Sequence, residues 1–426
     1  MILQFLSWQY LLLFLYLAFV AYVYIRRYNK RKEVLKLGGE CPRITTRFIF
    51  GLDFLIHSTR AVLKNQAVEF WEWMYQDTGT GDSGTRSYTA ELHILADIRV
   101  VFTSDPENIK AILATRFHDF GKGEAFHEEW KPFLGDGIFT TDGQQWHDSR
   151  QLIRPMFVRE RVADLPLIEK HVRKLISLLG DGDGQMVMLN KLLFRFSLDA
   201  STDFLFGHSV GSLDKEQSEF AMAFDEVQRL QTLQERLGRD RKVVRDQLVA
   251  LLLAGRDTTA STLSWLFLEL AKNPQVVETL RAEIFEFLGK DGRPPTYQEI
   301  KDMKYLTYTI NETLRLYPVV PFNVRSALTD TTLPHGAGPD GKSPAGCPRG
   351  TVVGYSTIGM QRRRDLYPPI SESFPYDPAD WVPDRILQEF DRIVDYGSPR
   401  ILHAEIVLTP AEGVKVGFVK RDKRQQ

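Results

Sequence analysis

The chain has 426 residues, with 54 Lys and Arg against 55 Asp and Glu, for a formal charge of −1. A chain of that length buries a large core, and its balanced charge excludes the global basic field of a nucleic-acid-binding protein. Its two cysteines, Cys41 and Cys347, are too few and too far apart for a disulfide framework, so a reducing compartment is expected.

Residues 1–25 hold no Asp, Glu, Lys or Arg. About 20 such residues cross a hydrocarbon core as a helix, so this stretch predicts a single transmembrane anchor. Arg26, Arg27, Lys30, Arg31 and Lys32 follow at once, which places the N-terminus outside and the remainder in the cytosol, with the endoplasmic reticulum as the expected membrane. The rival is a cleaved signal peptide. Against it stand the missing basic n-region, the long apolar run and the lack of a small-x-small cleavage site. Residues 26–42 read as a basic stop and polar hinge, with Pro42 keeping the chain extended. No repeat divides the rest, so residues 43–426 are expected as one catalytic domain.

Residues 61–77 have a helical pattern, and residues 91–103 have the alternation of paired strands. Between them Gly79, Gly81 and Gly84 spell G-x-G-x-x-G. A dinucleotide fingerprint must follow a strand and open a helix; here a helix pattern precedes it and strands follow. It reads as a turn. Asp105 is a good N-cap and Pro106 a good first helical residue. Residues 154–273 are mostly helical in pattern, residues 331–349 are a Gly/Pro loop, and residues 351–356 and 406–418 are short strands, the latter broken by Pro410 and Gly413. The class is mainly α with a smaller β portion. The nine histidines include no zinc spacing, and no G-x-S-x-G elbow occurs.

Three constellations carry chemistry. Ala254-Gly255-Arg256-Asp257-Thr258-Thr259 lies inside the long apolar helix of residues 241–272, where polar groups without partners are costly; Gly255 alone reads as close packing. Glu312 and Arg315 are spaced i, i+3 on one helix face, and Leu316-Tyr317-Pro318 follows. Trp146 and Arg150 are one helical turn apart, with Pro155 and Phe157 beyond.

Taken together in chain order, Trp146 with Arg150 first and Glu312 with Arg315 last, these motifs resemble the cytochrome P-450 family, and the likeness covers nearly everything after the hinge. The resemblance implies that family's fold behind a transmembrane helix, a haem, and insertion of one atom of O2 into a C–H bond. Electrons would come from NADPH through a separate flavoprotein reductase. It assigns Thr258 to hydrogen-bonding iron-bound oxygen and Asp257 to proton delivery. Trp146 and Arg150 would bind one haem propionate, with Arg325 as a second clamp, since Arg suits planar carboxylates. Glu312 and Arg315 would lock the core, with a third partner at Asp380 or, on a shifted reading, Arg385. Residues 106–115 and 134–139 are similar to the fungal membrane-bound alkane and fatty-acid ω-hydroxylases. That narrower likeness implies a hydrophobic small-molecule substrate entering from membrane lipid.

The family's axial ligand is a Cys thiolate, which pushes electron density onto iron. No such cysteine stands here. The nearest likeness, Gly397-Ser398-Pro399-Arg400-Ile401, has Leu402 where Cys belongs. A better reading takes residues 386–391 as the end of the helix after the ligand loop, so that the loop is missing as a block near residues 385–386. A second gap is expected between 224 and 241, where the family places two lid helices. Cys347, in an uncradled loop, and Cys41, in the hinge, are poor substitutes, and His403 would not give the same electron push. A non-catalytic, membrane-anchored remnant that binds no haem is therefore the alternative to the monooxygenase.

Overall fold

A computed structural model describes residues 2–46, 51–75, 87–94, 98–158, 161, 163–180, 183–214, 243–290, 293–367, 390–395, 397–398, 400–404 and 407–420. It is mainly helical with a smaller strand portion, and it divides into two compact units, Met1–Gly123 with Phe322–Ser356, and Glu124–Pro321 with Thr357–Gln426.

The first unit opens with helix Ile2–Leu37, whose segment from Tyr10 is long and apolar enough to cross a membrane. The basic residues from Arg26 onward do not end this helix; it stops only at Gly38 and Gly39. Beyond the helix lies the end of the expected stop and hinge, residues 38–42. Its last residues are hydrogen-bonded into the sheet, with Glu91 N–H donating to Pro42 O at 2.8 Å and Ile44 N–H to Glu91 O at 2.9 Å. The helix expected over 61–77 is instead two helices, Leu52–Leu63 and Ala67–Met74, separated by Asn65 at φ 56°. A non-glycine residue in that left-handed region ends a helix because it turns the chain out of register.

A five-stranded sheet follows, in the order Thr89–Ile94, Ile98–Thr103, Val352–Ser356, Phe322–Ala327, Phe120–Gly121. The paired strands expected in 91–103 are present as an antiparallel pair, and strand Ile98–Thr103 also pairs in parallel with Val352–Ser356, more than 200 residues away. Phe54, Met74, Tyr75, Ala90 and Leu92 pack as the core between helices and sheet. Asp105 caps as expected, accepting from the Glu107 and Asn108 N–H groups at 3.0 and 3.1 Å. The Gly/Pro loop of 331–349 is in fact a hairpin, Thr331–Ala337 against Ser343–Cys347. Gly336, Gly338 and Gly341 all have positive φ, and the register shifts between Leu333 and Ala337, around Pro334. The glycines and the proline make a bulge and a turn, which a linear reading cannot tell from a loop.

The second unit is built on helix Val243–Lys272, which packs along Leu189–Phe206. A Cβ on Gly255 would stand 2.8 Å from Ser201 Oγ, so the glycine does permit the close approach expected of it. Helices Glu124–Leu134, Gly143–Ile153, Leu165–Ser177, Pro274–Leu288 and Lys304–Leu316 complete the helical part. Two departures from expectation concern strands. Asp183–Met188, inside the stretch expected to be helical, and Phe390–Asp395 both pair with Lys415–Lys420. Residues 390–391 are thus not the end of a helix. The suspected gaps at 224–241 and 385–386, the glycines at 79–84, and Asp380 and Arg385 lie outside the described residues.

Candidate active site

Asp257 and Thr258 stand in the middle of helix Val243–Lys272. Asp257 is fully buried, with Arg256 Nη1 3.3 Å from its Oδ1. Arg256 is itself buried, its guanidinium 5.3 Å over the Phe194 ring. An aspartate in this apolar helix is tolerable because the adjacent cation is buried with it. Thr258 Oγ1 donates to Ala254 O one turn back. A hydroxyl has a single proton, so while that bond stands Thr258 can only accept from a ligand.

Arg150 lies on the exposed face of helix Gly143–Ile153, its guanidinium 5.3 Å from the Trp146 ring. The one-turn spacing brings the two together as a cation–π pair. Arg325 belongs to the first unit, on strand Phe322–Ala327 opposite Val353. Its Nη1 donates to its own strand, to Val324 O at 2.8 Å and to Asn323 Oδ1 at 3.0 Å. The remaining guanidinium N–H groups engage nothing among the described residues.

Glu312 and Arg315 form a bidentate pair, with Nε to Oε2 at 2.6 Å and Nη2 to Oε1 at 2.8 Å. Arg315 also donates to Gln361 O at 3.2 Å and lies 5.4 Å over the Tyr367 ring. The side chains are 20% and 19% exposed, which places the pair between a surface and a core interaction. Glu312→Ala is therefore expected to cost about 1.5–3 kcal/mol, the range for hydrogen bonds to charged groups. Urea unfolding of the purified variant checks this; a loss under about 0.5 kcal/mol would mark an ordinary surface pair.

Sequence reasoning missed a second buried cluster on the same long helix. Glu269, with no exposure, accepts from Tyr317 Oη at 2.6 Å and from Arg400 Nε and Nη2 at 2.7 and 2.6 Å. Trp265 stacks on Tyr317 at 4.0 Å, and its Nε1 donates to Leu408 O at 3.0 Å. The signal that singled out Asp257, a carboxylate in an apolar helix, applies equally to Glu269. Arg400, the arginine of the segment nearest in sequence to a haem-binding loop, is thus committed to Glu269. Leu402 sits in a strand opposite Pro410.

The chain belongs to the cytochrome P450 family: the family model of that name matches residues 93–239 and 227–391. Its relatives include enzymes named as monooxygenases. It is 38% identical to cytochrome P450 monooxygenase pvhE of Talaromyces variabilis over 509 aligned residues, covering 92% of each chain. It is 34% identical to cytochrome P450 52A13 of Debaryomyces hansenii, covering 85% of this chain and 81% of that one. Identity to cytochrome P450 52A1 of Candida tropicalis is 32% over 488 residues, covering 97% and 88%. Alignments of 509 and 488 residues exceed the 426 of this chain, so these relatives carry residues without a counterpart here.

The family implies haem, and the residues present do not fit a thiolate-ligated one. Both thiols are enclosed: Cys347 on strand Ser343–Cys347 and Cys41 beside it, at 0% and 4% exposure. Cys347 thus sits in a strand and not in the loop expected. Burial pushes its thiol up to about 11 and raises that of Cys41 further. Only the thiolate ligates, and burial in this strand disfavours that charged form.

Proposed function

We propose that the protein is a membrane-bound member of this monooxygenase family directed at a long-chain alkane or fatty acid, and that the sequence lacks the segment that would complete it. The likeness to the fungal ω-hydroxylases supports the substrate class, together with the similarity to two of the 52A proteins. The single apolar N-terminal helix, followed by basic residues, supports an anchor in the endoplasmic reticulum membrane with the bulk of the chain cytosolic. A separate NADPH-dependent flavoprotein reductase would supply electrons. In this reading Trp146, Arg150 and Arg325 hold propionates, and Asp257 and Thr258 serve proton delivery once Thr258 releases Ala254 O.

The observation that carries the missing-segment reading is the disagreement between three family motifs, at Trp146–Arg150, Ala254–Thr259 and Glu312–Arg315, and a cysteine inventory with no accessible thiol. Relatives whose alignments outrun this chain support it further. The same cysteines favour a second reading, a non-catalytic remnant that keeps the anchor and the fold but binds no haem. Sequencing genomic DNA around the codons for Arg385 and Ile386 separates the two. An open frame encoding a glycine- and cysteine-containing segment there supports the hydroxylase, and directly contiguous codons support the remnant.

The anchor is tested separately. Full-length protein is expected to stay in the membrane pellet after alkaline carbonate washing, and its release to the supernatant would remove the anchor from the account.

A further inference from the structure

The N-terminal helix meets the sheet through a clamp with no intervening linker. Gly38 N–H donates to Val34 O at 3.0 Å, closing helix Ile2–Leu37. The next residue is already on the hairpin: Gly39 N–H donates to Pro344 O at 2.9 Å, Gly346 N–H donates to Gly39 O at 3.0 Å, and Gly39 bridges Ala345 in parallel. Glycine is required here by proximity. A Cβ on Gly346 would lie 2.2 Å from Val34 O, on Gly38 2.7 Å from Pro344 O, and on Gly39 2.5 Å from Ala337 Cβ.

Side chains along the seam are closed to solvent: Val34, Cys41, Ala337, Ala345 and Cys347 are all buried. On its outer side Glu40 joins Arg31 of the helix at 2.9 Å to Arg43 at 3.0 Å. Arg43 in turn reaches the buried Glu91 at 3.6 Å. Contacts therefore run without a break from the helix into the sheet.

We propose that helix Ile2–Leu37 and the sheet of the first unit move as one rigid body, so that the lipid bilayer fixes the height and tilt of that unit. This rests on the reading of the helix as membrane-spanning. From Ile25 to Leu37 the helix rises about 18 Å, at about 1.5 Å per residue. The seam would then stand about 10 Å beyond a headgroup layer about 5–8 Å thick. A flexible tether would let the unit tumble above the surface; the clamp holds it in one pose.

The test uses the full chain in phosphatidylcholine nanodiscs, spin-labelled at Leu35→Cys on the helix and Arg349→Cys on the sheet unit, both exposed positions. The native thiols are buried and stay unlabelled. Pulsed electron–electron resonance is expected to give one narrow distance distribution. Inserting two glycines between Leu37 and Gly38 is expected to broaden it about twofold or more. A broad distribution in the unaltered chain, or an unchanged width after the insertion, would overturn the proposal. The two readings fail differently: carbonate release defeats membrane insertion, whereas a broad distribution in protein retained by the membrane defeats the rigid coupling alone.

Discussion

Arg99→Met is expected to destabilise the protein by roughly 3–5 kcal/mol, the cost of stranding a buried charge. Arg99 and Glu91 sit on the adjacent strands Ile98–Thr103 and Thr89–Ile94 with side chains 1% and 0% exposed. Glu91 Oε2 accepts from Arg99 Nε at 3.0 Å and Nη2 at 2.7 Å, and from Cys41 N–H at 3.2 Å. Arg99 Nη1 donates to Gly346 O at 2.9 Å. One guanidinium thus joins the first hairpin of the sheet to the strand that clamps the N-terminal helix. Without it, Glu91 keeps, among the described residues, the Cys41 N–H and Arg43, whose side chain is mostly exposed and so weakened by solvent. The double variant Glu91→Met with Arg99→Met is expected to recover much of the loss, because two apolar side chains need no partners. Urea denaturation of the three proteins checks both statements. A loss under about 1 kcal/mol for Arg99→Met would show that the pair contributes as a surface pair does.

Local signals were legible in the sequence, and long-range ones were not. The long helix around Asp257, the Asp105 cap, the 91–103 strand pair and the Glu312–Arg315 pair each depend on residues within a few positions of one another. Periodicity and spacing reveal such features. The clamp depends on Gly38 and Gly39 meeting Gly346, some 300 positions away, and nothing in residues 26–42 signals that contact. The 331–349 hairpin was hidden because glycine and proline mark bulges and loops alike. Residues 386–391 read as the end of a helix because the family places one after the ligand loop, yet Phe390–Asp395 pairs with strand Lys415–Lys420. Glu91 and Arg99 in an alternating strand suggest a solvent-facing edge; only the arrival of residues 38–44 and the hairpin covers them. At the candidate site, the residue pairs were legible, whereas Arg400 on Glu269, 131 positions apart, required the fold.

The central claim is that the chain as it stands forms no haem-thiolate centre. Trp146, Arg150 and Arg325 are an exposed cation–π pair and a half-buried strand arginine. Charged contacts of that kind contribute about 1 kcal/mol or less each, far short of an axial bond. Each alternative ligand has a physical obstacle. Leu402 has no ligating atom. The Cys347 thiol is enclosed, with its ionisation pushed up to about 11. Cys41 is closed into the clamp, with its thiol raised further. Freeing either thiol would mean opening the seam that holds the N-terminal helix to the sheet. Haem added to the purified protein is accordingly expected to bind weakly and without the electron push that splits O2. The most direct measurement is the difference spectrum of the haem-loaded, reduced, carbon-monoxide-bound protein. The account predicts no Soret band at the position that gives the family its name, and its appearance once a cysteine-containing segment is restored between Arg385 and Ile386. That band in the unaltered chain, abolished by Cys347→Ala, would contradict it and make Cys347 the ligand.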